Sequence, residues 1–535
     1  MLRGRTLSRT ANNWGPDESV EPEARKAKPV SILRTKSVEQ SIRDTEDPTH
    51  KLNKNLTWVE LTTFGIGVVI GAGIFTMTGR VAHTMTGPSI VVSFLVAALA
   101  CALAAMCYAE FASTVPVAGS AYTFSYSSMG EIFAWIIGWD LFLELFLASS
   151  VVAQGWSAYL NVLLGELGIH LPPEIVSGGR VDLVAMGIIV ILGLLLLAGI
   201  KESMRVNTAL VALKLFIVLF VIFAGIGYVR AANFHPFIPA KAPVESTTSG
   251  LTQPLIQWIS GAQPTAFGAS GIVAGAALVF FAYIGFDVVA TTAEEAKNPK
   301  RDIPLGIIGS LVICTVLYIA ISLVLIGMVP YTKLDPSASL AKAFTMVGKP
   351  WMAVIISAGA VAGLTTVVLT MMIGATRVIF AMSRDHLLPP VLSKVSERTR
   401  VPYVITIVVM VTDGLAAALV PPGILDEMVN IGTLLAFVMV SIGIIVLRRK
   451  QPDLPRAFRV PWVPVIPIAS ALICFYLMLN LSVETWMRFL IWMAIGIVIY
   501  FSYSKGHSRL NGDQELGDID HQLADIVPDT SSSKD

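Results

Sequence analysis

The chain has 535 residues, of which 54% are apolar and 14% charged, whereas soluble domains carry roughly 25% charged residues. A mean hydropathy of +0.71 excludes an ordinary soluble domain, which has no core large enough to hide so much apolar side chain. A formal net charge of +1 points to no nucleic acid or acidic partner, and the four cysteines lie in apolar runs without a CxxC pair or a His cluster. Neither a disulfide, a metal site nor a cofactor is therefore expected.

Residues 1–54 mix Arg, Lys, Glu, Asp, Ser and Pro without any apolar stretch resembling a signal-peptide core, and read as a flexible cytosolic tail. A transmembrane domain follows over 55–505, and 506–535 form a second cytosolic tail. A window of about twenty residues finds apolar spans near 58–78, 89–113, 133–160, 184–199, 208–229 and 271–292. Further spans lie near 305–329, 351–382, 402–420, 425–447, 463–481 and 486–503. The expectation is an all-α integral membrane protein of about twelve transmembrane helices with both ends on one side.

Lysine and arginine concentrate in alternate loops, at Lys201 and Arg205, at Lys297, Lys300 and Arg301, at Arg384, Lys394, Arg398 and Arg400, and from Arg448 to Arg459. The positive-inside rule assigns these loops and both tails to the cytosol.

Two spans depart from the pattern of a lipid-facing helix. The first reads GIGVVIGAGIF from Gly65 to Phe75, with glycines where Leu or Ile would be expected. Such glycines permit either an unwound backbone, which must then bind something polar, or a close helix crossing of the GxxxG kind. The sixth, FFAYIGFDVVATTAEEA from Phe280 to Ala296, has Gly285 at mid-span followed by Asp287. Paired glycine breaks in corresponding spans point to a transporter with two broken helices facing each other at the midplane. Free N–H groups at a half-helix start attract a carboxylate, and free carbonyls at a half-helix end attract an ammonium. Such a site reads the part that all amino acids share.

Ionisable residues inside the spans are Glu110, Asp140, Glu144, Lys214, Asp287, Arg377 and Asp413. Each is costly at mid-membrane unless it faces protein or water. Glu110 lies near a span end, Asp413 is open to structural pairing, and Arg377 to snorkelling towards the cytosol. Asp140 and Glu144, at i and i+4, share one face, open either to a neighbouring helix or to substrate. Lys214 sits about 12 Å along the fifth span, and either snorkels or is buried.

The motifs GIGVVIGAGIF, GWDLFLE with VVAQGWSAYL, FFAYIGFD with AEEAKNPKRDIP, RVIFAMSRDHLLP, and RRKQPDLPRAFRVPWVP followed by ETWMRFLIW together resemble the amino acid–polyamine–organocation superfamily. Within it, they resemble the bacterial type of cationic amino acid transporter. The resemblance implies a LeuT-like core of five-plus-five inverted repeats, two appended C-terminal helices, and alternating access. It places the substrate carboxylate at Ile70, Gly71, Ala72 and Gly73, and the α-ammonium at carbonyls of Phe281, Ala282 and Ile284. Ala72 departs from the Ser or Thr of many relatives, which shifts the work to backbone N–H groups. It further implies that Lys214 is the proton-coupling residue, since burial can bring a lysine towards the physiological range.

The expected function is a plasma-membrane permease that imports an L-amino acid, coupled to protons and seated in the lipid bilayer. Glu144 and Asp287 offer anionic partners to Arg, Lys or ornithine, so cationic or broad specificity is expected, with a neutral amino acid symporter of the alanine type or an exchanger as the alternative. No motif supports an enzyme. An amino-acid sensor would need a signalling domain that the tails do not resemble, and a channel would need a continuous polar path.

Overall fold

The computed structural model describes residues 56–115, 120–199, 204–243, 250–291, 296–399, 401–456 and 458–509. The tails over 1–54 and 510–535, with Lys201 and Arg400, lie outside the described residues, as does the side chain of Arg205. Among the described residues, eight helices are long and apolar enough to cross a membrane, and four shorter apolar helices accompany them, Trp58–Val69, Leu183–Leu197, Tyr403–Leu419 and Val465–Leu479. The run Gly73–Thr114 counts among the eight but breaks at Gly87, where φ is +60° and Pro88 follows.

Span 1 therefore consists of Trp58–Val69 and a second half of π- and α-helical turns, Gly73–Met77, Thr78–Val81 and Ala82–Thr86. Spans 2 to 5 are Ile90–Thr114, Glu131–Glu166, Leu183–Leu197 and Met204–Ile226. Span 6 is Gly268–Val279, tightening into a 3-10 turn over Phe280–Tyr283 and resuming at Val288–Thr291. Spans 7 to 12 are Pro299–Met328, Pro350–Arg384, Tyr403–Leu419, Ile424–Lys450, Val465–Leu479 and Val483–Ile499. The two-residue strands Ala242–Pro243 and Thr265–Ala266 pair antiparallel in the long connection between spans 5 and 6.

Apolar residues cover the outside of this bundle. Leu99, Ile191, Phe216, Phe223, Val316, Leu415, Leu472 and Val498 are all exposed, as expected where lipid is the solvent and gives no reason to hide them. Polar groups go inward and find partners. Asp413 accepts hydrogen bonds from the hydroxyls of Ser149 and Ser150, tying span 9 to span 3. Glu110 accepts two from Arg448 at 2.8 and 2.5 Å and one from the Val460 N–H at 2.7 Å, fixing span 2 to the end of span 10. Both are structural pairs. The four cysteines are free and buried.

Spans 1, 3, 6, 7 and 8 surround the middle of the bundle. Span 8 packs along span 3, and span 7 lies against span 2 and the first half of span 1. The first and last described residues, Leu56 and Arg509, lie at the same face. Lys297 donates its N–H to Leu56 O at 2.7 Å, and Arg509 donates to Asp385 O at 3.3 Å. This tail face also carries Arg384 and the segment after Arg448.

Candidate substrate site between two broken helices

The first half of span 1 ends because the chain leaves helical geometry at Ile70, where φ is −73° and ψ is 86°. The Gly71 N–H then donates to Val69 O at 2.8 Å, closing a three-residue turn. At the restart, Ala72 and Gly73 open the second half of the span, where the first N–H groups of a helix have no acceptor within their own element. In span 6, Ile284 is extended, with ψ at 133°, and Gly285 has φ at +117°, which only glycine adopts without strain.

The two breaks pass in contact. A Cβ on Gly73 would overlap the backbone of Ala282, and one on Gly285 would stand 2.6 Å from Val68 Cγ1. At Gly65 it would meet Ser310 Oγ at 2.6 Å, whereas at Gly71 it would reach only ordinary contact with Val367, at 3.4 Å. The glycines thus divide the two roles read from sequence, Gly65 and Gly73 allowing close crossings and Gly71 keeping backbone open at the break.

Between the breaks lies a cavity of about 10 Å³, room for about one water. Gly71, Ala72 and Gly73 form one wall, Phe281 and Ile284 another, and Val68, Val69, Ala148, Val152, Val367 and Met371 complete it. None of these side chains is polar. Met371 also lines a vestibule of about 240 Å³ that lies on the tail side and includes Phe64, Asp287, Arg377 and Arg384. On the opposite side, Arg80 of span 1 pairs with Asp426 of span 10. There too, Gln154 Nε2 donates to Ala417 O at 2.9 Å and Val420 O at 2.7 Å. Among the described residues, the bundle is closed on that side and hollow on the tail side.

Two buried side chains hold the breaks. Lys214 Nζ donates to Gly67 O at 2.6 Å, and its stem packs where a Cβ on Gly363 would be. The Tyr318 hydroxyl lies 2.8 Å from both Val69 O and Ala282 O, one carbonyl on each side of the crossing. With a single proton, it serves the two acceptors by sharing.

The amino acid permease family profile matches residues 56–501. The chain belongs to this family, within the amino acid–polyamine–organocation superfamily. It is similar to a branched-chain amino acid permease of Bacillus subtilis (strain 168), 47% identical over 492 residues that cover 90% of this chain and 99% of the relative. A methylthioribose transporter of the same organism is 43% identical over 90% of this chain and 99% of its own length. A vacuolar cationic amino acid transporter 4 of Arabidopsis thaliana is 32% identical over 90% and 96%. The permease is thus a multi-pass membrane transporter of amino acids and not an enzyme.

Of the residues singled out from sequence, the permease brings Gly71, Ala72, Gly73, Phe281 and Ile284 to one cavity. Ile70 is buried beside it, and Ala282 turns its backbone to Gly73 and its carbonyl to Tyr318. Glu144 lies outside the cavity. On span 3 the cavity takes Ala148 and Val152, while Asp140 and Glu144 face span 10, with Asp140 against Gly432 and Glu144 beside Thr433. Asp287 also lies outside, in the vestibule, where its Oδ1 accepts the Gly285 N–H at 3.3 Å. Lys214 is 1% exposed, so it does not snorkel. Arg377 lines the vestibule. Tyr318 was not anticipated, because a tyrosine in an apolar run carries no sign of what it will reach.

Proposed function

We propose that the permease carries a neutral amino acid with an apolar, branched side chain, driven by protons, across the plasma membrane with both tails in the cytosol. The observation that carries this reading is the apolar lining between the breaks. A lysine or arginine substrate would bury its charge there without a partner, at a cost of at least a few kcal/mol. The head group is read by backbone, its carboxylate at the N–H groups of Ala72 and Gly73 and its ammonium at carbonyls of the span 6 break. The similarity to a branched-chain permease supports this choice over the cationic one. The twin breaks, one opening each set of five spans, support an inverted-repeat core with alternating access.

Lys214 is the proposed proton carrier. A buried amine on Gly67 O, one turn before the break, would alter the hold on the substrate-binding helix when it loses its proton. The concentration of arginine and lysine in the tail-face loops supports its cytosolic assignment.

Purified permease in sealed vesicles, loaded with leucine and offered labelled valine, isoleucine, leucine, alanine, arginine, lysine or methylthioribose, tests the substrate. Counterflow is expected with the branched-chain set. Preferential counterflow of arginine and lysine would overturn the neutral reading.

A further inference from the structure

The vestibule on the tail side holds the charges that the central cavity lacks. Span 8 places Arg377 and Arg384 two turns apart on its wall, and Asp287 closes its inner end. Asp287 is 4% exposed and its carboxylate is oriented by the Gly285 N–H. Among the described residues, neither guanidinium has a hydrogen bond or ion pair. The other walls are mostly apolar, including Phe64, Leu141, Leu145 and Phe380, with Tyr122 and Thr370 as the exceptions, and Met371 stands between this space of about 240 Å³ and the central cavity, lining both.

We infer that this vestibule is a second binding site, for a zwitterionic amino acid with an apolar side chain, on its way between the central cavity and the tail-side solution. The inference rests on the transport reading above. Arg377 takes the carboxylate, for which a guanidinium has matching two-pronged geometry, and Asp287 takes the ammonium. The apolar walls take the side chain. Arg384, nearer the mouth, raises the local concentration of the substrate carboxylate. Because the site lies on one side of the central cavity, it sets affinity from that side alone.

Leucine transport is measured in right-side-out and inside-out vesicles for the wild type, Arg377→Gln and Arg377→Lys. From the tail side, Arg377→Gln is expected to raise KM about tenfold, the loss of one charged hydrogen-bonded contact. Arg377→Lys recovers part of it, and KM from the opposite side stays within about twofold of the wild type. An equal change on both sides, or none, overturns the site. 4-Methylpentanoate, which has the carboxylate and side chain of leucine but no ammonium, should compete poorly from the tail side. Competition equal to that of leucine would reveal an anion site only. If the wild type moves no leucine from either side, the transport reading fails instead. Leucine binding to the purified protein then decides the vestibule, weakened in Arg377→Gln if the inference holds and unchanged if it does not.

Discussion

Single side chains separate what binds from what merely packs. Gly71 and Gly73 stand two residues apart in the same break, yet they answer differently to a methyl group. In Gly71→Ala the added Cβ meets Val367 at 3.4 Å, so the protein should fold with a smaller cavity. Leucine should lose more than alanine, by about 1–3 kcal/mol, the usual worth of one methylene in an apolar pocket. Relative KM values for the two substrates measure this. In Gly73→Ala the Cβ overlaps Ala282, and an overpacked crossing costs about 1–3 kcal/mol of stability whatever the substrate. Lys214→Ala should abolish accumulation driven by a pH gradient while sparing exchange, and Lys214→Arg should fail in the same way because arginine keeps its proton. Full proton-driven uptake by Lys214→Ala vesicles would remove this residue from the coupling. Asp140 carries the opposite expectation. Neither of its carboxylate oxygens, the Oε2 of Glu144, nor the Tyr108 hydroxyl has a hydrogen-bond partner among the described residues. Replacing the unpartnered carboxyl by an apolar group of similar size, Asp140→Leu, should leave the fold intact and raise stability by about 1–3 kcal/mol, seen as a higher unfolding temperature in detergent. A fall would show that the carboxylate has a partner in the working protein.

At the scale of elements, the two broken helices were legible because glycine is so rare a choice for a lipid-facing run that GIGVVIGAGIF and AYIGF announce themselves. The walls were not. Ala148, Val152, Val367 and Met371 are apolar residues within apolar helices, and nothing in their spacing distinguishes a cavity from lipid or from another helix. The pair Asp140 and Glu144 shows the same limit. Periodicity put both on one face of span 3 but left open which face, and packing turned that face to span 10. Tyr318 is the extreme case, since its role exists only once span 7 has brought it to the crossing of spans 1 and 6. Its removal is informative for that reason. Tyr318→Phe keeps the ring and deletes the hydroxyl, which should cost about 1 kcal/mol of stability. It should also reduce transport of every substrate alike, because the tie holds both breaks rather than any one side chain. A loss confined to large substrates would place the hydroxyl in side-chain recognition instead.

At the scale of the molecule, the asymmetry between a hollow tail side and a closed opposite side has an identifiable fastening. Arg80 reaches from the second half of span 1 to Asp426 at the start of span 10. The pair closes the side opposite the vestibule, and its Asp426 side chain is 3% exposed while that of Arg80 is 22% exposed. If the helices part when that side opens, the pair exists only in the closed state, and its loss shifts the equilibrium by its full differential energy. Every 1.4 kcal/mol is about tenfold in population, and breaking a buried pair commonly costs about 3–5 kcal/mol. The exposure of Arg80 to water places this pair below that range. Arg80→Gln should therefore favour the form open on the side opposite the tails by about tenfold or more. The measurement is the labelling rate of Thr76→Cys, which sits beside the pair, by a membrane-impermeant thiol reagent. The native cysteines are buried, so the background is low. Faster labelling in Arg80→Gln, Thr76→Cys than in Thr76→Cys alone is expected, with slower tail-side labelling of a cysteine at Val378 in the vestibule. Alternating access requires the two rates to move in opposite directions. If both rose together, the pair would hold the bundle closed without belonging to the switch.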